Sequence, residues 1–359
     1  MRTLMLDLFP LARPFVLSLD PEAAHSLTIR TLSKGVTGTL GRACNPKILA
    51  TQAFGLDFPN PVGLAAGFDK DAEAIRGALK LGFGFVEAGT VTPKPQPGND
   101  RPRLFRLTAD KAVINRFGFN SKGVEAFARK LQLRPKKGLV GANVGANKDA
   151  EDRTADYEAC IERLYGLSDY FTVNISSPNT PGLRALQSKA ALEDLVGRVL
   201  AVRDAKMKAG AARVPMLVKI APDLLDEDIS DIADVTLNSD IDGLIVSNTT
   251  IERPETLTSR HKAEAGGLSG APLMAPSTEI LKRVYQATGG KKPLVGVGGI
   301  ASGADAYAKI RAGATLVQLY SAMVYAGPGL VEKVKRDLAR RLKADGFTSV
   351  ADAVGVDAA

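Results

Sequence analysis

From residue 61 onward the chain repeats one pattern. A short apolar run ends in Gly, Asn, Ser, Thr or Lys, and a helix-compatible segment follows. Eight such runs occur: PVGLAAGF (61–68), FGFVEAGT (83–90), GLVGANVG (138–145), YFTVNISS (170–177), MLVKIAP (216–222), GLIVSNTT (243–250), PLVGVGGI (293–300) and LVQLYSAM (316–323). Continuous rather than alternating apolar runs suit strands covered on both faces, as in parallel sheets. Between them, Leu192, Leu195, Val196, Val199 and Val202 fall on one helical stripe, as do Ile280, Val284 and Ala287. Eight β-then-α units predict an α/β fold, a (β/α)₈ barrel over residues 45–340, with 341–359 as a C-terminal tail. A doubly wound open sheet is the alternative, but it ordinarily has about five or six strands. It also lacks polar residues at every strand end.

Residues 1–41 stand outside this pattern. Asp20-Pro21-Glu22 reads as a helix start, with Asp as N-cap and Pro in the first turn. His25, Ile29, Leu32 and Val36 then share one face, and Leu4, Leu8, Leu11 and Phe15 make an earlier one. Two short apolar helices need a surface, which is the barrel, a dimer partner or a membrane. The long connections 91–137 and 251–292 lie where barrels elaborate their sites. The first includes the Pro-rich stretch TPKPQPGNDRPR (92–103).

Composition narrows the chemistry. The 359 residues carry a formal charge of +8, which suits an anionic ligand or surface. Trp is absent and no nucleic-acid module is recognisable, so nucleic acid is not an expected partner. No run reaches the ~18 apolar residues of a membrane-crossing helix. The apolar N-terminus is broken by Asp7, Pro10, Arg13 and Pro14 and makes a poor signal peptide. Cys44 and Cys160 have no metal or redox spacing, which fits a reducing compartment.

In a barrel, strand C-terminal ends converge on one site. Here they deliver Lys70, Thr90, Asn143, Asn174, Ser177, Asn179, Lys219, Asn248, Thr249, Gly298, Gly299, Tyr320 and Ser321. This set has no metal cluster, no Ser-His-Asp triad and no paired carboxylates. Amides, hydroxyls and two lysines bind a flat, amide-rich anion well but leave the difficult chemistry to a cofactor. The glycine turns GVGGIASGADA and LYSAMVYAGPG each feed a helix after the seventh and eighth runs, where barrels hold phosphate. GGLSG (266–270) offers further close backbone approach. A buried Lys219 beside a flavin ring would stabilise the negative charge that reduction creates.

Together the stretches NPVGLAAGFDKD, GFVEAGTVTPKPQPGNDRPRLFRL, INRFGFNSKG, NISSPNTPGLR, VKIAPD, GLIVSNTT, GGLSG, GVGGI and LVQLYSAMVY resemble the dihydroorotate dehydrogenases, specifically the quinone-linked class 2. They span residues 60–327 in order. The resemblance implies an FMN-carrying barrel that oxidises dihydroorotate to orotate in pyrimidine biosynthesis. FMN takes a hydride from C6, a protein base takes the C5 proton, and a membrane quinone is the final acceptor. The base is cysteine in class 1; Ser177 stands at that position here. The resemblance assigns the substrate to Lys70, Asn115, Arg116, Phe117, Gly118, Phe119, Asn174, Asn179, Asn248 and Thr249. It assigns FMN to Ala66, Gly67, Lys70, Thr90, Asn143, Asn174, Lys219, Ser247, Gly270, Gly299, Tyr320 and Ser321. Ser247 replaces the threonine of some relatives and keeps a hydroxyl. His25, Arg106 and Tyr320 match positions lining a quinone tunnel under the N-terminal helices. The implied protein is a monomer held peripherally on the anionic, cytoplasmic face of the inner membrane. A related FMN barrel with another substrate, such as a tRNA dihydrouridine synthase, lacks its cysteine here; a non-catalytic phosphate-binding sensor would be colourless.

FTVNISSPNTPGLR (171–184) concentrates the question. Read locally it is a glycosylation sequon, a Pro/Asn/Gly turn or a hydrolase serine without a histidine. Placed on the fourth strand, its asparagines read amides and Ser177 is a general base. No neighbour in sequence lowers the high pKa of that serine, so a proton relay through Thr180 or water is expected.

Overall fold

Eight parallel strands close into a barrel in the computed structural model of the chain, which describes residues 6–41 and 43–358. The strands are β1 (Val62–Leu64), β2 (Phe85–Val91), β3 (Leu139–Val144), β4 (Tyr170–Asn174), β5 (Met216–Ile220), β6 (Gly243–Val246), β7 (Leu294–Val297) and β8 (Ala314–Leu319). Each falls within or overlaps one of the eight apolar runs. They pair in chain order, and β8 returns to β1 through Val317 opposite Val62. Their side chains are almost wholly buried, which is why the runs lack polar alternation.

The barrel interior is filled by Phe85, Tyr170, Leu217, Ile245, Val295 and Leu316. A hairpin of Thr51–Ala53 and Leu56–Phe58 plugs its N-terminal end, with Phe58 edge-on to Phe85 at 5.2 Å. Helices pack outside. In Lys189–Lys208 the buried face is Leu192, Leu195, Val196, Val199, Leu200 and Arg203, so the predicted stripe holds except that Val202 is only partly covered. In Met274–Ala287, Ile280 and Val284 are buried while the terminal Ala287 is exposed; Leu281 takes its share of the core. The last long helix is Leu330–Ala344, and Val350, Ala353 and Ala358 of the tail are buried.

The two long insertions meet over the C-terminal mouth in one three-stranded antiparallel sheet. Ala112–Asn115 is its centre, flanked by Leu104–Leu107 and Gly267–Gly270, with Asn115 opposite Gly267.

Helices α1 (Phe9–Ser18) and α2 (Pro21–Ser33) cover one side of this mouth. Asp20 caps α2 as expected, accepting from the amides of Glu22 (3.0 Å) and Ala23 (2.9 Å). Ala24, Ile29 and Leu32 bury one face of α2, with Leu32 packed so closely on Gly77 that no side chain fits there. Val36 lies beyond the helix and is exposed. No residue of α1 is buried; Leu11 is 84% exposed and Phe15 63%. Leu4, placed on the same apolar face, lies outside the described residues. No helix among them is long and apolar enough to cross a membrane.

Candidate active site

A cavity of about 890 Å³ opens at the C-terminal ends of the strands and runs out beneath α1 and α2. Its inner part is polar. Lys70, Asn174, Ser177, Asn179, Lys219, Asn248 and Thr249 all line it, as do Phe117, Gly118, Phe119 and Asn115 of the overlying sheet. A second wall combines Ala66, Gly67, Thr90, Ser247, Gly270, Gly299, Tyr320 and Ser321. Its outer part is apolar, formed by Leu8, by Phe9, Ala12, Phe15 and Val16 of α1, and by Ala24 and His25 of α2; Arg106 also lines the cavity. Among the described residues no Asp or Glu lines it anywhere.

Ser177 is buried, and its Oγ accepts from the Asn179 amide at 3.2 Å. Asn179 Nδ2 in turn donates to Asn115 Oδ1 at 3.3 Å. Behind this layer runs a hydrogen-bonded chain. Asn248 Nδ2 donates to Ser176 Oγ (3.0 Å), and Ser176 donates to Asn174 Oδ1 (3.0 Å). Asn174 Nδ2 donates to Thr90 Oγ1 (3.0 Å) and Asn143 Oδ1 (3.1 Å). Asn143 Nδ2 ends on Glu87 Oε1 (2.8 Å), whose other oxygen accepts from Gln318 (2.8 Å) and Tyr170 (3.1 Å). The network fixes the amide orientations before any ligand arrives.

Three expected site residues stand elsewhere. Arg116 turns outward, pairs with Glu264 at 2.7 Å and covers the Phe105 ring at 4.6 Å, so its side chain braces the roof. Asn143 lies one layer below the cavity, inside the network just described. Thr180 is buried beside the lining, and its hydroxyl has no hydrogen-bond partner among the described residues. Ser176, Glu87 and Gln318 were not foreseen. All three are polar residues in apolar runs, which is the signal that marks them.

Lys70 is the cation of the inner end. Its Nζ donates to Gly67 O at 2.6 Å and sits 4.1 Å from the centre of the Phe117 ring. Burial, and then the charge of Arg103, push its pKa down to about 8. Burial also lowers Lys219, with Glu87 opposing, and Lys219 forms no ion pair among the described residues. Two cations in a cavity that no carboxylate lines among the described residues call for an anionic ligand.

At the junction of the two ends, His25 meets Phe68 edge-on (5.5 Å between centroids) and Tyr320 (Oη to Nδ1, 3.4 Å). Burial, then the charge of Lys70, lowers the His25 pKa to about 3, so the ring is neutral. Burial raises that of Tyr320. The pair is thus an uncharged donor–acceptor couple at neutral pH. Arg106 donates to Val16 O (3.2 Å) and to Leu19 O, capping the carbonyl end of α1.

A sequence profile of the family described as dihydroorotate dehydrogenase matches residues 48–342. The chain belongs to the dihydroorotate dehydrogenase family. It is 57% identical over 355 residues to the dihydroorotate dehydrogenase (quinone) of Xanthobacter autotrophicus, covering 98% of this chain and 99% of that one. The corresponding protein of Azorhizobium caulinodans is 58% identical over the same shares. Among solved structures, an Eimeria tenella dihydroorotate dehydrogenase in complex with ferulenol superposes with a TM-score of 0.90 at 42% identity, covering 94% of this chain and 96% of that one.

Dihydroorotate dehydrogenases are flavoproteins, and the cavity fits a flavin nucleotide. Thr249 Oγ1 and Gln318 Oε1 face it buried and without hydrogen-bond partners among the described residues. Gly299 (φ +76°) passes so close to Met274 that a Cβ would lie 2.4 Å from its Cα, and Gly270 (φ +97°) meets Lys111 O equally closely. Only glycine permits these backbone surfaces.

Proposed function

We propose that this protein oxidises dihydroorotate to orotate in pyrimidine biosynthesis, with bound FMN and a membrane quinone as terminal acceptor. The observation that carries the reading is a single cavity with two unlike ends. One is built of amides and lysines without an acid; the other is apolar and roofed by helices whose outer face is exposed. FMN, when bound, supplies the hydride acceptor for C6. Lys219, Thr90, Gly67, Gly270, Gly299 and Ser321 would hold it, with the lysine facing the charge that reduction creates. Lys70 pairs with the substrate carboxylate. Asn115, Asn174, Asn179 and Asn248 read its amides. Ser177 Oγ receives the C5 proton and passes its own onward through Thr180 and an intervening water. His25 and Tyr320 address a quinone carbonyl. The exposed Leu11 and Phe15 dock α1 on the anionic cytoplasmic face of the inner membrane, so the acceptor enters from the lipid.

The test is oxidation of dihydroorotate by the purified yellow protein with a short-chain quinone, fumarate or NAD. Quinone is expected to support turnover. Equal turnover with fumarate or NAD overturns the acceptor assignment, and a flavin that dihydroorotate does not bleach overturns the whole reading.

Two further outcomes are expected. The free-enzyme pKa of Lys70, about 8, places the loss of its charge just above neutrality. Orotate affinity, measured by titration, therefore weakens about tenfold per pH unit above 8. Lys70→Met weakens binding at all pH values and removes that limb; an unchanged limb would assign it to another group. Thr180→Val is expected to slow flavin bleaching by dihydroorotate about 100-fold, the low end of a proton-transfer contribution. An unaltered rate and pH profile would eliminate the threonine from the relay.

A further inference from the structure

Two charged residues stand behind the cavity without lining it. Arg184 lies in the turn Leu183–Gln187 after β4, and Asp223 follows β5. Arg184 Nη1 pairs with Asp223 Oδ2 at 2.8 Å. The other guanidinium donors reach two backbone carbonyls: Nε to Ser176 O at 3.2 Å and Nη2 to Thr249 O at 3.0 Å. Asp223 also accepts from Thr250 Oγ1 and from the Ile251 amide at 3.1 Å. Gln187 adds a parallel link, its Oε1 accepting from the Ala221 amide at 2.8 Å.

These bonds converge on three loops, those after β4, β5 and β6. Ser176 O immediately precedes Ser177, and Thr249 O immediately follows Asn248. A partly exposed ion pair contributes little to a fold by itself. One guanidinium that holds the backbones beside the base and beside the substrate amide reader does something more specific. We propose that Arg184 and Asp223 form a positioning clamp that keeps Ser177 and the Asn248–Thr249 pair in one frame around the bound substrate. The inference rests on the function proposed above and adds two residues to it. Removing a proton and a hydride from adjacent carbons requires both groups in register, and a misplacement of ~1 Å costs about 100-fold. The planar fork of arginine reaches three acceptors at once; a lysine keeps the charge and loses that geometry.

The test uses full-length, flavin-loaded Arg184→Lys and Asp223→Asn. Flavin bleaching by dihydroorotate is followed anaerobically, reoxidation by a short-chain quinone separately, and orotate affinity by equilibrium dialysis. Bleaching is expected to fall about 10–100-fold in both variants and orotate affinity to fall about tenfold, while flavin content and quinone reoxidation hold. Bleaching at the wild-type rate in both variants overturns the clamp. So does a parallel fall of both half-reactions with loss of flavin, which would make the pair a general scaffold. If wild-type protein is not bleached by dihydroorotate, the proposed function fails and the clamp with it; bleached wild type with unaffected variants removes the clamp alone.

Discussion

Ser177→Ala is expected to lower the rate of flavin bleaching by dihydroorotate about 10²–10⁴-fold, the range a positioned general base contributes. Flavin content and orotate affinity should change little, because Lys70 and the four asparagines remain. The expectation rests on the resemblance that puts the base at Ser177, and the contents of the cavity agree with it. No carboxylate lines it among the described residues. His25 is neutral but stands at the helix-covered end, against Phe68 and Tyr320. His261 lies outside, beside Phe105. Among hydroxyls at the polar end, Thr90 donates to Asn143 Oδ1 at 2.5 Å and Ser247 to Asn248 O at 3.1 Å. Among the described residues Ser177 Oγ only accepts, from Asn179, which leaves its own proton unengaged by the protein. The competitor is Thr249, whose hydroxyl has no hydrogen-bond partner among the described residues. A near wild-type rate in Ser177→Ala together with a large loss in Thr249→Val would transfer the role to the threonine.

The barrel was legible because strands covered on both faces must be apolar throughout, and because their C-terminal ends carry the polar site. Those two constraints make eight runs stand out without any long-range information. The roof sheet was not legible for the opposite reason. Its strands are four residues each and its pairing joins Asn115 to Gly267, across most of the barrel sequence. Nothing local marks such a contact. Arg116 shows the same limit on a smaller scale. It neighbours Asn115, but successive residues at the end of a strand face opposite sides, so one lines the cavity while the other meets Glu264 on the surface. Glu87 was hidden differently. It sits inside the apolar run of β2, below the strand-end layer, and only the fold shows that Asn143, Tyr170 and Gln318 satisfy it. Asn143 was placed in the cavity layer by its strand; its side chain belongs to that lower network.

Deleting residues 1–19 should separate the two halves of the reaction. The helix α1 buries none of its residues, so the barrel loses little by its removal. α2, which packs Ile29 and Leu32 into the core, is retained. Bleaching by dihydroorotate should persist, since Lys70, Asn174 and Ser177 stand on barrel strands and their loops. The quinone step should not. Leu8, Phe9, Ala12, Phe15 and Val16 form one wall of the apolar end. Exposing about 100–150 Å² of a bound apolar acceptor, at about 25 cal/mol per Å², costs about 3 kcal/mol. That corresponds to roughly a 100-fold fall in kcat/KM for quinone. Binding to anionic lipid vesicles should fall in parallel, because the exposed Leu11 and Phe15 leave with the helix. Retained quinone kcat/KM in the truncated protein would show that the acceptor reaches the flavin by another path. An equal loss of dihydroorotate bleaching would show instead that α1 supports the whole mouth of the barrel. Only a selective loss is consistent with an apolar end reserved for the second substrate.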